Sequence, residues 1–198
     1  MLTCNHCVIL LYSFQKTQPV QDLMSDGVVM QKVKEGDLSQ AALLFQKYHR
    51  KIYHYLGKMS GDYHLAEDLT QNVFIKMIQY KNTFNPEMNF ESWIFRIARN
   101  SFLDHTQQKK NVVYTDMEPY QHLSDTDEQE QPEQEERLHQ ALANIPADDR
   151  EILVLTRFQK LKYHEAAAIL GITETHVKVK VFRAIEKLRT SFFQLESK

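Results

Sequence analysis

Apolar side chains recur along residues 26–59 at steps of three and four: Val28, Val29 and Val33, then Leu43, Leu44, Tyr48, Ile52, Tyr55 and Leu56. That step matches the turn of an α-helix with one buried face. Gly36-Asp37 divides the run into a short helix and a long one, with Asp37 as a candidate cap. Ser60-Gly61-Asp62 reads as a turn. A helix over about 64–80 then puts Leu65, Leu69, Val73 and Met77 on a core face, with Asp68, Gln71, Asn72 and Ile75 outside. Asn82, Asn85 and Pro86 make 81–88 a loop. The next helix, about 90–108, turns Phe90, Trp93, Ile94, Ile97 and Ser101 inward. Its outer side carries Ser92, Arg96 and Arg99, flanked by Phe95 and Phe102.

Between 111 and 135 the pattern lapses. Pro119, Pro132 and many acids replace large apolar groups, and such a segment buries too little surface to offset its ordering entropy. Periodicity returns over about 135–144, 148–158, 163–170 and 174–195, broken by Pro146 and Gly171. The expected fold is all-α: two helical domains, 25–110 and 136–198, joined by a flexible acidic linker. Residues 1–24 read as a disordered extension or a misassigned start, since Met24 and Met30 stand just before the first patterned segment.

Composition narrows the function classes. Five Gly and five Pro in 198 residues are too few for an all-β sandwich or barrel. No strand leads into a Gly-rich turn, so Rossmann and Walker nucleotide sites are absent. The net charge of −2 conceals strong segregation. Residues 32–110 hold 12 basic and 8 acidic side chains, 112–137 hold 1 and 9, and 150–198 hold 10 and 5. Two basic modules around an acidic bridge suit a polyanionic partner. The bridge could also let the modules close on each other and hide both DNA-facing surfaces. Cys4 and Cys7 cannot build a disulfide framework, which argues for a reducing, cytoplasmic setting. Even with His6 they fall short of a zinc set, so no metal or cofactor is expected. Val8–Tyr12 is too short to span a bilayer.

The segment from Tyr163 to Leu188 has the helix-turn-helix pattern. A short Ala-rich helix ends at Gly171, Ile172 fills the turn, and a longer basic helix follows. Val177, Val181, Ala184, Ile185 and Leu188 form its core face. The opposite face carries Thr175, His176, Val179, Lys180 and Arg183, groups able to reach base edges in a major groove. Lys178, Lys187 and Arg189 are better placed for phosphates. In the N-terminal module, cations and aromatics beside the polar loop Asn82, Asn85 and Asn89 fit a single strand, which needs stacking and charge neutralisation. A buried aromatic face with a paired Arg96 fits the same pattern.

An enzyme finds no support. His164-Glu165 opens a zincin-like sequence, but Ala168 stands where the second histidine is needed. The rival binding class is a stand-alone dimeric helix-turn-helix regulator, which would bind a palindrome unaided.

Three motifs in order carry a family resemblance: Asp68-Leu-Thr-Gln-Asn-Val-Phe-Ile-Lys, Phe90-Glu-Ser-Trp-Ile-Phe-Arg-Ile-Ala-Arg-Asn, and the stretch from Leu142-Ala-Asn-Ile-Pro to Lys187-Leu-Arg. Over about 25–195 the chain resembles an extracytoplasmic-function sigma factor of bacterial RNA polymerase. The resemblance implies regions 2 and 4 of that family, core RNA polymerase as partner, and initiation at promoters whose DNA the protein helps to open. It implies that Asp68, Gln71, Phe74 and Ile75 contact the polymerase clamp. It implies that Asn82, Asn89, Trp93, Arg96, Arg99 and Asn100 hold the melted −10 strand, with a base flipped from the stack. It implies that Thr175, His176, Lys178, Val179, Lys180 and Arg183 read duplex DNA at the −35 element. The linker would run toward the RNA exit path. Members are commonly restrained by an anti-sigma factor, a further candidate partner. Lys160-Leu-Lys-Tyr163 departs from the usual Gly-Leu-Ser-Tyr-like start of the helix-turn-helix, and Thr175, His176 and Val179 replace smaller residues. These departures bear on promoter sequence rather than on fold.

Overall fold

A computed structural model describes residues 24–111 and 132–196, all helices and short connections without a strand among them. The expected features at 1–23 and 112–131, including Cys4, Cys7 and most of the acidic bridge, lie outside the described residues.

Helix α1, Asp26–Glu35, starts where the Ser25 hydroxyl accepts the Val28 N–H and ends at Gly36 in the left-handed region. A single 3₁₀ turn, Leu38–Gln40, is capped by Asp37, as its sequence suggests. Helix α2, Ala41–Ser60, and helix α3, Tyr63–Gln79, form an antiparallel hairpin around Gly61. Asp62 closes the start of α3 by accepting the Leu65 N–H at 3.0 Å. The hairpin packs closely because a Cβ at Gly57 would sit 2.5 Å from the Tyr63 ring. Helix α4, Phe90–Asn111, crosses it. Its Phe90 ring meets Tyr48 at 5.2 Å, and Trp93 meets Phe84 edge-on at 5.3 Å.

The second module begins earlier than the periodicity suggests. Helix α5 is Pro132–Asn144, so Pro132 opens a helix instead of closing a linker. At a first helical position proline gives up no needed hydrogen bond. Helix α6, Ala147–Leu153, continues into a π-turn, Val154–Phe158, in which the Gln159 N–H reaches the Val154 carbonyl at 2.9 Å. Helix α7, Tyr163–Leu170, and helix α8, Glu174–Glu196, complete the module. Lys187 on α8 bonds Asp149 on α6, a buried acid.

Lys160 lies just past the π-turn at φ 56°, the one described non-glycine residue with positive φ. The turn must reverse there so that Leu161 can bury its side chain and bond the Leu155 carbonyl. This is the position at which the resembling family usually has glycine. A Cβ in that conformation costs about 1–2 kcal/mol, partly offset by glycine's greater unfolded-state entropy. Lys160→Gly is therefore expected to raise stability by up to about 1 kcal/mol in urea denaturation. A destabilised variant would mean that the lysine side chain outweighs the strain.

The two modules share one hydrophobic core. Helix α4 lies along α7, and α2 lies against the π-turn and α6. Polar ties cross the seam. Arg150 gives one guanidinium hydrogen bond to the Met59 carbonyl at the end of α2, at 3.0 Å, and another to the Ala143 carbonyl in α5, also at 3.0 Å. A cation there meets carbonyls that helix ends leave unsatisfied. Burial lowers the guanidinium's proton affinity, and three neighbouring carbonyl acceptors counter that cost.

Candidate nucleic-acid interface

The helix-turn-helix is built by its turn. Helix α7 ends at Gly171, φ 69°, whose left-handed backbone leaves the Ile172 N–H to bond the Ala167 carbonyl. Thr173 then caps α8 by accepting the His176 N–H at 3.2 Å. Ala166 and Ala167 are buried, so the two helices cross at small side chains.

Along α8, Val177, Val181 and Ala184 are buried, while Thr175, His176, Lys178, Val179 and Arg183 are exposed and Lys180 is half-buried. The polar face thus stands in solvent along the first turns of the helix. Lys178 pairs with Glu174 at 3.0 Å, and Lys180 lies 3.9 Å from Asp148. Ile185, expected in the core, is on the outside at 36% exposure beside Phe182 at 69%. It falls one position beyond the Val177–Val181–Ala184 stripe that α7 and α6 cover.

The N-terminal residues divide differently. Asp68 and Gln71 are exposed on the outer face of α3, as expected. Phe74 is not with them. It is 3% exposed, with its ring edge-on to Phe45 at 4.9 Å. Ile75 is half-buried. Phe74 adjoins Val73 on the hairpin side of α3, and a ring that size gains more from α2 than from water.

On α4, Asn89 accepts the Glu91 and Ser92 N–H groups and so starts the helix. Asn82 and Asn100 are exposed. Trp93 is buried, at 6% exposure, between Phe84 and Phe90, and does not present a stacking surface in this conformation. Phe95 and Ser92, expected on the outer side, are also buried. Phe95 packs edge-on to Tyr55 at 5.4 Å. Once the second module covers α4, the buried arc of the helix widens beyond what one stripe of apolar residues indicates.

That cover engages the expected strand-binding residues. The Arg99 Nε donates to Glu151 Oε1 at 3.0 Å, and the Tyr55 hydroxyl donates to the same oxygen at 3.0 Å. Burial, and then the Glu151 carboxylate, push the Tyr55 hydroxyl well above the usual tyrosine range. Asn89 Nδ2 donates to Glu165 Oε1 at 2.9 Å, and Arg96 reaches the Ala168 carbonyl at 3.4 Å. The Arg96 Nε is buried without a partner. Tyr55, Arg150, Glu151 and Glu165 carry no mark as site residues in the sequence. The one available signal is Glu151, a carboxylate abutting the apolar run Ile152–Leu155.

Among the described residues no group of three His, Cys, Asp or Glu side chains is placed to hold a metal, and no helix is long and apolar enough to cross a membrane.

The comparisons agree with this architecture. The family described as Sigma-70 region 2 matches residues 44–112, and Sigma-70, region 4 matches residues 135–188. The ECF RNA polymerase sigma factor SigM of Bacillus subtilis is 30% identical over 152 residues, covering 75% of this chain and 93% of that protein. The ECF RNA polymerase sigma factor SigW of the same organism is 30% identical over 173 residues, covering 81% and 92%. Among solved structures, the sigma factor RpoE in complex with the anti-sigma factor NepR from Bartonella quintana has a TM-score of 0.60 at 25% identity, covering 75% of this chain and 94% of that one. CnrH in complex with the cytosolic domain of CnrY shares the fold, with a TM-score of 0.66 at 19% identity over 87% of this chain and 98% of that one. With both regions matched in order and relatives aligned along nearly their whole length, the chain belongs to the extracytoplasmic-function sigma factors, which direct RNA polymerase to start transcription at promoters.

Proposed function

We propose that the chain divides this work among three surfaces. The exposed face of α8, with Thr175, His176, Val179 and Arg183 toward base edges and Lys178 and Lys180 toward phosphates, reads the −35 duplex. The outer face of α4 and the turn before it, with Asn82, Asn89, Arg96, Arg99 and Asn100, takes the melted −10 strand, and Trp93 supports that surface from beneath. Asp68, Gln71 and Ile75 on α3 meet the polymerase clamp, without Phe74. Residues 25–110 and 136–198 act as the two functional domains, 111–135 as their tether, and 1–24 as an extension or misassigned start. The protein is a cytoplasmic regulator and not a catalyst. An anti-sigma protein is a further partner, a reading supported by the complex in which the Bartonella relative occurs.

The observation that carries this reading is the solvent-facing polar side of α8, held out beyond a glycine turn by a buried Val177–Val181–Ala184 stripe. Run-off transcription with purified core polymerase on a genomic library, reading start sites, tests it. Gel shift on duplex promoter DNA separates the rival class. A stand-alone helix-turn-helix regulator binds unaided, whereas this chain should bind poorly until core polymerase is added.

Asp68→Ala and Gln71→Ala are each expected to weaken core-polymerase binding about five-fold, the usual scale for an exposed interface residue. Both side chains are exposed, so helical content and melting should stay at parental values. Unchanged polymerase affinity would remove α3 from the clamp contact.

A further inference from the structure

Helix α8 carries a second exposed stripe beside its reading face. Phe182, Glu186, Arg189 and Phe193 follow one another at steps of four, three and four residues, and all four are exposed. At 3.6 residues per turn they fall within an arc of about 60°, well away from the buried Val177–Val181–Ala184 stripe. Phe182 and Phe193, at 69% and 50% exposure, are the two most exposed large apolar side chains among the described residues. The Arg189 guanidinium lies over the Phe193 ring, 5.9 Å from its centre, which keeps that charge on the stripe. Neither Glu186 nor Arg189 belongs to an ion pair among those described. An apolar patch with its own charges marks a surface that another protein covers.

The order of the stripe selects its occupant. Read from either end it runs ring, charge, charge, ring at the same spacing, with the sign of the charges inverted. We infer that the stripe is a self-association surface: two copies of the chain pair antiparallel through α8, with Phe182 against Phe193 of the second copy and Glu186 against Arg189 of the second copy. A twofold axis repeats each contact, as in any isologous pair. A parallel pairing in register would set Glu186 against Glu186 and Arg189 against Arg189, which repel. Nucleic acid is a poor occupant, because Glu186 stands in the middle of the stripe and faces a polyanion with its own charge. The contact spans about 17 Å of helix and buries less than the roughly 1,200–2,000 Å² of a stable complex, so the pairing is weak, at about 100 μM. The pair is not a palindrome reader either. Val179 and its copy lie about 26 Å apart along the helices, short of the roughly 34 Å between successive major grooves.

Sedimentation equilibrium of the full chain reads the pairing directly, with reductant present so that Cys4 and Cys7 cannot cross-link. From about 10 to 500 μM the mean mass should rise from one chain toward two. Glu186→Arg alone sets like charges together twice per pair and should weaken association about ten-fold, as should Arg189→Glu alone. An equal mixture of these two variants should pair again, because each supplies the charges that the other lacks. One chain carrying both changes should also pair. Phe182→Ser should weaken association about ten-fold with no change of charge. All three positions are exposed, so helical content by circular dichroism should stay parental. Should one charge variant lose helix, the doubly changed chain and Phe182→Ser are read in its place. A chain that stays single at about 500 μM overturns the proposal and leaves the stripe to a protein of another kind. Pairing that survives both Phe182→Ser and the charge reversals lies elsewhere on the molecule and overturns it too. Loss in the single charge variants without recovery in the mixture or in the doubly changed chain overturns the antiparallel arrangement.

Discussion

Phe95→Ala is expected to destabilise the protein by about 3–5 kcal/mol, the usual range for removing a buried aromatic ring. The ring is fully buried in α4, edge-on to Tyr55 at 5.4 Å. Its loss removes hydrophobic area and an aromatic pair together. The cavity would not collapse easily. Tyr55 is held on its other side by the hydrogen bond to Glu151, and Ile94 and Ala98 beside Phe95 are themselves fully buried. Against a whole-domain stability of about 5–15 kcal/mol, the loss would shift the urea midpoint sharply. Phe95→Leu, which keeps most of the volume, should cost roughly a third as much. If Phe95→Ala costs less than about 1 kcal/mol, the ring is not packed as described.

That residue also shows where sequence reasoning stops. The helices were legible because each presents a stripe of apolar side chains at helical spacing, with polar breaks such as Gly36-Asp37, Ser60-Gly61-Asp62 and Gly171 between them. The helix-turn-helix was legible for the same reason, down to the exposure of Thr175, His176, Val179 and Arg183. A stripe, however, reports burial against one neighbour. Phe95 and Ser92 lie outside the stripe of α4 and become buried because that helix has neighbours from both modules. Phe74 differs in another way: the family resemblance implies a contact there, while in this structure its ring lies in the hairpin core.

The closure of one module on the other left no periodic trace. Beside the shared hydrophobic core, its polar ties rest on single residues: Tyr55, Arg150, Glu151 and Glu165. Glu151 ends the charged stretch Asp148-Asp149-Arg150-Glu151 just before an apolar run, and its role is ambiguous in a sequence, because its partners are nearly a hundred positions away at Tyr55 and about fifty away at Arg99. The charge segregation suggested closure through the acidic bridge, yet the described seam is made by other groups. The π-turn was equally hidden. Its one sequence correlate is the departure at Lys160, which becomes meaningful once the positive φ is known.

Arg183→Ala is expected to cost about 1–3 kcal/mol of promoter discrimination, the worth of a good side-chain contact to a base edge. The position favours a base contact over a purely electrostatic one. Arg183 is exposed on the side of α8 away from buried Val181 and Ala184, eight residues beyond Thr175, so the two share a face about two turns apart. It has no acid within salt-bridge distance among the ion pairs described, unlike Lys178 and Lys180. Its guanidinium fork can therefore be presented to a groove without first breaking a pair. Measured as transcription with core polymerase, the variant should lose about ten- to one-hundred-fold on its own promoters and much less on unrelated DNA. Lys178→Ala supplies the contrast. A phosphate contact weakens binding to all sequences alike and lowers its salt dependence. If Arg183→Ala behaves as Lys178→Ala is expected to, with equal loss on every template, Arg183 holds the backbone. The base readout of α8 then falls to Thr175, His176 and Val179, whose shorter side chains must come closer to the groove floor.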